Sequence, residues 1–199
     1  QKASYIVCRL PNMPTNPSES SYLLGVSDAE LDRLRFQHGV WKPITDAFFD
    51  RLHIRKRWKC LDVGSGPGFV TFDLRKRVGP GGEVTALDTS SFYLNRLQLE
   101  VKQKGWNNIR CVNASAEEAD LPQRHFDFIF CRWVLNFVPD PRKFITRLIS
   151  FLKPKGIIAF QDYWYEGLSF YPRGTALDRL ANILRGYYKS GGGDPYATG

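Results

Sequence analysis

The feature that most constrains the fold is a glycine-rich loop that follows a short apolar run. Residues 61–68 read LDVGSGPG, after an apolar run from Trp58 to Val63, and a helical pattern begins directly after the loop. Asp88 closes the next apolar run, twenty positions after Gly68. Glycines permit a sharp turn and a close approach of the backbone to a ligand. This order of strand, loop, helix, strand and acid is typical of a βαβ unit that binds a nucleoside.

The spacing of the glycines narrows the class of ligand. A dinucleotide fingerprint reads G-x-G-x-x-G, whereas this loop reads G-x-G-x-G and has Phe69 at the place of the last glycine. The missing glycine argues against NAD or FAD and therefore against an oxidoreductase. A glycine triplet alone is also compatible with a tight turn that binds nothing, so the acid at Asp88 carries much of the prediction.

Length and charge limit the number of domains and the classes of possible partner. The 199 residues suffice for one α/β domain, and no apolar run approaches the ~20 residues of a membrane span. The net charge is +8, with the densest basic clusters at 51–59 and 75–77. This balance permits binding to nucleic acid or to another anionic surface, and ordinary solvated faces explain it as well. The N-terminus has no signal-peptide pattern, and we predict a cytoplasmic location.

The cysteines give no sign of a metal site. Cys8, Cys60, Cys111 and Cys131 lack both a C-x-x-C and a Cys/His spacing, so we predict reduced thiols and no bound metal.

Helical and strand patterns alternate along the chain. We predict helices over 28–37, from about 43, and over 68–77, 91–103, 141–152 and 174–189, with strands over 58–63, 83–88, 109–113, 126–131 and 157–163. Ser27 is the predicted N-cap of the first helix. Short loops between alternating elements require a parallel, doubly wound sheet with helices on both faces, which is a Rossmann-like α/β fold.

Several ordered segments carry a resemblance to a known family. They are the glycine loop, residues 126–133 (FDFIFCRW), 138–141 (VPDP) and 151–156 (FLKPKG), and an amino-terminal segment from Tyr22 to Gln37. Together they resemble class I S-adenosylmethionine-dependent methyltransferases of the small-molecule type, the group that includes ubiquinone and menaquinone biosynthesis methyltransferases. The resemblance implies S-adenosylmethionine as the cofactor and S-adenosylhomocysteine as its product.

The resemblance also implies roles for individual residues. Asp62 receives the cofactor's ammonium group, while Gly64, Ser65, Gly66 and Gly68 form the loop that packs against its methionyl part. Asp88, with Thr89 beside it, accepts the ribose hydroxyls, and Ser115 and Ala116 lie by the adenine. Cys131 and Arg132 border the methyl group and the cofactor carboxylate. Tyr22 and Gln37 close over the cofactor from a lid, and His38 is the candidate general base.

The domain boundaries follow from these segments. We predict an extended arm at 1–20, a helical lid at 21–55 and a Rossmann-like cofactor domain at 56–199. The resemblance implies seven strands, but no strand pattern follows the fifth, so we expect five parallel strands without the C-terminal antiparallel pair. The predicted fifth strand would lie at an edge of the sheet, and it is more apolar than an unpaired edge strand usually is. We therefore predict either a fragment of a longer protein or a partner chain, as in a homodimer, that covers it.

The acceptor and the atom that is methylated stay open in the sequence. The amine-methylating signature N/D-P-P-Y/F is absent, and the aromatic residues near the expected site suit an apolar or planar small molecule: Trp133, Phe137, Tyr163, Trp164 and Tyr165. Two alternatives remain: an RNA methyltransferase that uses the basic surface, and a protein that binds the cofactor without catalysis.

Overall fold

The chain forms a five-stranded parallel sheet with helices on both faces. A computed structural model describes residues 27–164, 170–171, 173–194 and 196–197. The strands are β1 (Lys59–Val63), β2 (Glu83–Asp88), β3 (Ile109–Asn113), β4 (Phe126–Arg132) and β5 (Leu152–Gln161). The helices are α1 (Asp28–Arg51), α2 (Phe69–Val78), α3 (Ser91–Gln103), α4 (Pro141–Phe151) and α5 (Ala176–Ser190), with a 3-10 turn at Leu135–Phe137.

The strand order is β3-β2-β1-β4-β5, and each neighbouring pair is parallel. The expected Rossmann-like fold with five parallel strands is confirmed for the described part of the chain, where β5 has β4 as its one neighbour. The bounds of β2, β3 and α3 are those predicted from the sequence. The order in which successive strands are added to the sheet changes direction between β1 and β4, and open α/β sheets bind ligands at such a point.

Two helices predicted at the amino-terminal end are one helix. Ser27 caps α1 as expected and accepts the Glu30 N–H at 3.1 Å. The helix then continues through Pro43 to Arg51. Proline removes the hydrogen bond to the carbonyl four residues earlier, at Gly39. Gly39 and Pro43 are both exposed, so water can satisfy that carbonyl and the helix need not end.

The start of β5 also differs from the prediction. The sequence predicts this strand only from residue 157, but the strand begins at Leu152, opposite Phe126. The pairing then shifts, so that Ile157 lies opposite Phe128. Lys155 adopts a left-handed backbone conformation (φ 67°) within this bulge, which absorbs the extra residues without ending the strand.

The core lies on both faces of the sheet, because alternate residues of a strand point to opposite sides. On one face, Phe128 and Phe130 of β4 pack against Phe49 of α1. On the other, Ile129 and Cys131 pack against α4. The carboxyl-terminal half of α1 is therefore part of the core, and its amino-terminal half extends toward the carboxyl edge of the sheet.

Candidate cofactor and acceptor site

The loops at the carboxyl ends of β1, β2, β3 and β4 surround a cavity of about 330 Å³. Because the strands are parallel, these ends meet at one edge of the sheet. The lining comes from α1, the ends of β1, β2 and β4, the loops that follow the four strands, the start of α2, and α4: Leu34, Asp62, Val63, Gly64, Ser65, Gly66, Pro67, Phe69, Val70, Leu87, Asp88, Thr89, Ala114, Ser115, Ala116, Glu117, Arg132, Trp133, Val134, Phe137, Val138, Pro139 and Phe144.

The glycine loop has left-handed backbone at three positions, Gly64 (φ 66°), Gly66 (φ 52°) and Gly68 (φ 86°). A Cβ at Gly64 would overlap the side chain of Val134, and one at Gly68 would overlap Leu97. A Cβ at Gly66 would meet no protein atom within 4 Å. Gly64 and Gly68 are therefore required by packing, whereas Gly66 faces open space in the cavity wall.

Asp88 ties the glycine loop to the end of β2. Its Oδ2 accepts the Gly66 N–H at 2.7 Å and its Oδ1 accepts the Ser90 N–H at 2.8 Å. Burial raises the pKa of Asp88, and the hydrogen bonds from the backbone of Ser90, Gly66 and Thr89 oppose that rise. Each carboxylate oxygen has a second lone pair, so the side chain can still accept ligand hydroxyls from the cavity.

Asp62 is the most deeply buried acid in the cavity wall, with 2% of its surface exposed. Its Oδ2 accepts the Thr71 hydroxyl at 2.6 Å. Burial raises the pKa of Asp62 to about 7, against the effects of the Thr71 hydrogen bond and the Arg132 charge. A cationic ligand group beside Asp62 would remove this desolvation cost by pairing with the carboxylate.

The raised pKa of Asp62 predicts a pH dependence of stability. In the unfolded chain the group titrates near 3.8 and in the folded chain near 7, so the folded state binds more protons between these values. The free energy of unfolding should then fall as pH rises from about 4 to about 7, by at most on the order of 4 kcal/mol from this group. Denaturant unfolding at pH 5 and pH 8 measures the effect. Asp62→Asn should show a distinctly smaller drop, and an equal drop in both proteins would contradict the assignment.

One buried hydroxyl in the glycine loop has no hydrogen-bond partner among the described residues. Ser65 Oγ is fully shielded from solvent, and Ser65, 8% exposed, lines the cavity. An orphaned buried hydroxyl costs about 1–3 kcal/mol, which would be recovered if the side chain turned toward the cavity and bonded a ligand there. The open space at Gly66 and the Ser65 hydroxyl together fit a ligand that lies against this loop.

The loop after β3 forms the end of the cavity next to β2. Thr89, Ser115 and Ala116 line this end together with Glu117, which the sequence analysis did not single out. Ser115 Oγ accepts the Glu118 N–H at 3.3 Å, which fixes the turn. Small side chains at 114–116 leave room here for a flat group.

The opposite wall is apolar and is held by an acid that sequence reasoning missed. Trp133, Val134, Phe137 and Val138 line this wall. The Asp162 carboxylate accepts the N–H groups of Val134 (3.0 Å) and Leu135 (2.9 Å) and the side-chain amide of Asn136 (2.9 Å). Its place at the carboxyl end of an apolar strand, like that of Asp88, is the signal that could have identified it.

Four of the residues predicted for the site do not line the cavity: Gly68, Cys131, Gln37 and His38. Cys131 is 1% exposed, because its side chain points into the core beside α4, and burial raises the pKa of this thiol far above its usual value. Gln37 instead donates to the Tyr163 hydroxyl at 2.6 Å. His38 lies between Arg132 and Asp73, with its ring stacked on Phe69.

His38 is poorly arranged to take a proton from a ligand. Arg132 donates to its Nδ1 at 3.1 Å, which leaves the ring proton on Nε2, 3.3 Å from the Asp73 carboxylate. Both ring nitrogens are therefore engaged away from the cavity. Arg132, by contrast, does line the cavity, as predicted.

Some predicted features lie outside the described residues: Tyr22, the arm at 1–20, Cys8 and Tyr165. Within the described ranges, Cys60, Cys111 and Cys131 are free thiols, and no cluster of three or more His, Cys, Asp or Glu side chains could hold a metal. No helix among these residues is both long and apolar enough to traverse a bilayer.

Comparison with known proteins shows that a chain with this fold and cavity belongs to the family of class I S-adenosylmethionine-dependent methyltransferases. A family profile described as a methyltransferase domain matches residues 54–185, so the chain belongs to that family. A solved S-adenosylmethionine-dependent methyltransferase from Aquifex aeolicus superposes with a TM-score of 0.58 at 26% identity, over 71% of this chain and 77% of that one.

Similar curated proteins are quinone-pathway enzymes. The ubiquinone/menaquinone biosynthesis C-methyltransferase of Psychromonas ingrahamii is 34% identical over 136 residues, which are 66% of this chain and 53% of that protein. The demethylmenaquinone methyltransferase of Anoxybacillus flavithermus is 31% identical over 120 residues, 60% of this chain and 49% of that protein. The chain thus spans about half the length of the curated relatives it matches.

Proposed function

We propose that this protein is an S-adenosylmethionine-dependent methyltransferase that acts on a small-molecule acceptor. The observation that carries the proposal is the meeting of the Gly66 backbone, the Asp88 carboxylate and the unpartnered Ser65 hydroxyl in one cavity at the carboxyl edge of the sheet. Family membership over residues 54–185 supports the same activity.

The cavity residues fit the parts of this cofactor. Asp88 accepts the ribose hydroxyls, and the small residues Ser115 and Ala116, with Thr89, border the adenine. Asp62 holds the ammonium group, and residues 64–68 lie along the methionyl chain. The positive charge of the ammonium group matches the Asp62 carboxylate and accounts for the unfavourable burial of that carboxylate.

The bound cofactor supplies an activated methyl group whose leaving group is a neutral thioether. The protein therefore has to align the acceptor in line with the methyl–sulfur bond and exclude water. The apolar wall from Trp133 to Val138 serves both purposes, and Asp162 keeps this wall in place through its hydrogen bonds to Val134, Leu135 and Asn136.

The acceptor is proposed to be a small apolar or planar molecule. The aromatic wall and the quinone-pathway names of the relatives support this class. The basic cluster at 51–59 argues against RNA as the acceptor, because it lies at the amino end of β1 and the cavity lies at the carboxyl edge. Strands of five to seven residues separate these edges by roughly 15–23 Å.

Three further assignments belong to this proposal. Residues 21–55 act as a lid through the amino-terminal half of α1, where Leu34 borders the cavity. The enzyme works in the cytoplasm. A second copy of the chain covers the edge of β5 that has no neighbouring strand among the described residues, next to which Trp164 is 61% exposed.

Calorimetry with S-adenosylmethionine, S-adenosylhomocysteine and NAD tests the cofactor assignment. We expect both sulfur compounds to bind and NAD not to bind, because residue 69 is phenylalanine and not the glycine of dinucleotide loops. NAD binding tighter than that of S-adenosylmethionine would refute the cofactor assignment.

A transfer assay with labelled cofactor against small-molecule and RNA pools then identifies the acceptor class. Cofactor binding without methyl transfer to any pool would favour the alternative of a protein that binds the cofactor without catalysis.

A further inference from the structure

Opposite charges reach the cavity from two adjacent strands. Asp62 of β1 and Arg132, the last residue of β4, both line the cavity, and these two strands are neighbours in the sheet. Burial lowers the pKa of Arg132, and the charges of Asp62 and Asp73 oppose that fall. Within the described part of the chain, Asp62 and Arg132 thus attract each other without forming an ion pair. A carboxylate and a guanidinium in this arrangement match the ammonium and the carboxylate of an α-amino acid, which is one end of the cofactor.

Two residues of α1 hold the Arg132 guanidinium. Its Nη1 donates to Thr45 Oγ1 at 3.3 Å and its Nη2 donates to His38 Nδ1 at 3.1 Å. The guanidinium also lies over the Trp133 ring, 4.4 Å from its centroid. The described residues therefore accept from two of its five N–H groups, and the other three remain for a ligand in the cavity.

Asp73 of α2 fixes which nitrogen of the His38 ring carries the proton. Arginine has donors and no acceptor, so the nitrogen that faces Arg132 must present its lone pair. The other nitrogen, Nε2, lies 3.3 Å from Asp73 Oδ2, which also pairs with Lys42 Nζ at 2.9 Å. Burial acts to raise the pKa of Asp73, but the hydrogen bonds from His38 and Lys42 outweigh this effect and lower the pKa. The ionised carboxylate accepts the Nε2–H, and Nδ1 is thereby left to accept from Arg132.

The His38 ring also keeps the acid and the guanidinium apart. A carboxylate that meets an arginine directly tends to form a bidentate pair, which would occupy two N–H groups of Arg132 and draw it toward α2. The ring between Asp73 and Arg132 accepts from one N–H group only. Its plane is set by stacking on Phe69, with centroids 5.3 Å apart and an angle of 26° between the rings. The guanidinium is therefore oriented while most of its donors stay available.

We infer that His38 and Asp73 are positioning residues: Asp73 fixes the proton of the His38 ring, and the ring aims Arg132 at the carboxylate of the bound cofactor. The inference rests on the proposed function. Neither His38 nor Asp73 lines the cavity, so both act through Arg132. The role differs from that of the general base expected from the sequence, because it needs the His38 proton to stay in place on Nε2.

Calorimetry with S-adenosylhomocysteine and with 5′-methylthioadenosine, which lacks the amino-acid end, tests this inference. Arg132→Gln and His38→Phe should each weaken S-adenosylhomocysteine binding about tenfold and change 5′-methylthioadenosine binding by less than about twofold. The double variant should bind no more weakly than Arg132→Gln, because the ring acts only through the guanidinium. His38→Gln should bind S-adenosylhomocysteine nearly as tightly as the wild type, since its amide supplies both an acceptor for Arg132 and a donor for Asp73.

Nitrogen-15 NMR of the His38 ring tests the part played by Asp73. In the wild-type complex with S-adenosylhomocysteine, we expect the ring proton on Nε2 alone. In Asp73→Asn, a second form protonated on Nδ1 should appear, because an amide can donate as well as accept, and affinity for S-adenosylhomocysteine should fall about threefold or more. A wild-type ring protonated on Nδ1, or a ring spectrum that Asp73→Asn leaves unchanged, would overturn the inference.

His125→Phe is the matched control, because His125 directly precedes β4 at the end of the strand away from the cavity. It should leave both affinities unchanged. Equal losses of the two ligands in His38→Phe would show that the ring only supports the fold, and no loss of either would show that Arg132 needs no such support. Either result overturns the inference, while binding of both ligands by the wild type preserves the proposed function.

Two further outcomes are also decisive. A wild type that binds neither ligand would refute the proposed function itself, and with it the inference. Thermal unfolding shows whether each variant is folded, and if His38→Phe is not, the ring spectrum of the wild type and the affinity of His38→Gln decide the question.

Discussion

Replacing Asp88 by alanine is expected to weaken S-adenosylhomocysteine binding by about 100-fold or more. The carboxylate is assigned to the ribose hydroxyls, and each charge-assisted hydrogen bond contributes about 1.5–3 kcal/mol, where about 1.4 kcal/mol is a tenfold change in affinity. The variant also frees the N–H groups of Gly66 and Ser90, which Asp88 now accepts, and loosens the glycine loop. Calorimetry gives the affinity, and thermal unfolding separates it from any loss of fold.

Asp127→Ala is the matched control for this variant. The Asp127 carboxylate also accepts a backbone N–H, that of Lys59 at 2.8 Å, and it pairs with Lys153. It lies at the amino end of β4, away from the cavity. The Asp127→Ala protein should be less stable than the wild type but should keep its affinity for S-adenosylhomocysteine. Unchanged affinity in Asp88→Ala would mean that the ribose does not bind at the end of β2.

Replacing Gly66 by alanine should abolish most cofactor binding with a modest loss of stability. A Cβ at this position meets no protein atom within 4 Å, so the added methyl group projects into the space assigned to the cofactor. The left-handed backbone (φ 52°) costs an alanine about 1 kcal/mol. We expect affinity for S-adenosylhomocysteine to fall about tenfold or more by calorimetry.

Gly105→Ala is the control that separates the effect of backbone strain on stability from the effect of the added methyl group on ligand binding. Gly105 also has a left-handed backbone (φ 65°) and open space at its Cβ position, but it lies in the turn between α3 and β3. The two variants should therefore lose similar stability, measured by denaturant unfolding, and differ only in ligand affinity. Equal affinities in the two variants would show that no ligand packs against Gly66.

The glycine loop and Asp88 illustrate what local pattern determines. The glycines between β1 and α2 predict a sharp turn, and in the structure the turn has left-handed backbone at Gly64, Gly66 and Gly68. Asp88 lies at the same edge of the sheet as the glycine loop, because the carboxyl ends of parallel strands lie side by side at one edge. In the cofactor half of the cavity, the lining includes eight residues that the sequence named, Asp62, Gly64, Ser65, Gly66, Asp88, Thr89, Ser115 and Ala116, but not Gly68, which it also named, and it includes Glu117, which it did not name.

The acceptor half was less predictable because its contacts join residues far apart in the chain. Asp162 stabilises the wall at 134–136 from the next strand, and His38 contacts Arg132 across 94 positions. Sequence spacing cannot show that both His38 nitrogens are engaged or that Cys131 faces the core. The continuation of α1 through Pro43 also depended on its surroundings, since exposure of Gly39 allows the unpaired carbonyl to remain hydrated.

The sequence by itself determined the succession of strands and helices along the chain from β1 onward, the glycine loop and the acid that faces it, because backbone propensity and local spacing set these features. The tertiary structure alone decided which charged groups remain available to a ligand. Whether a buried carboxylate or guanidinium is already satisfied depends on partners from other elements, and those partners are defined only when the sheet and α1 pack together.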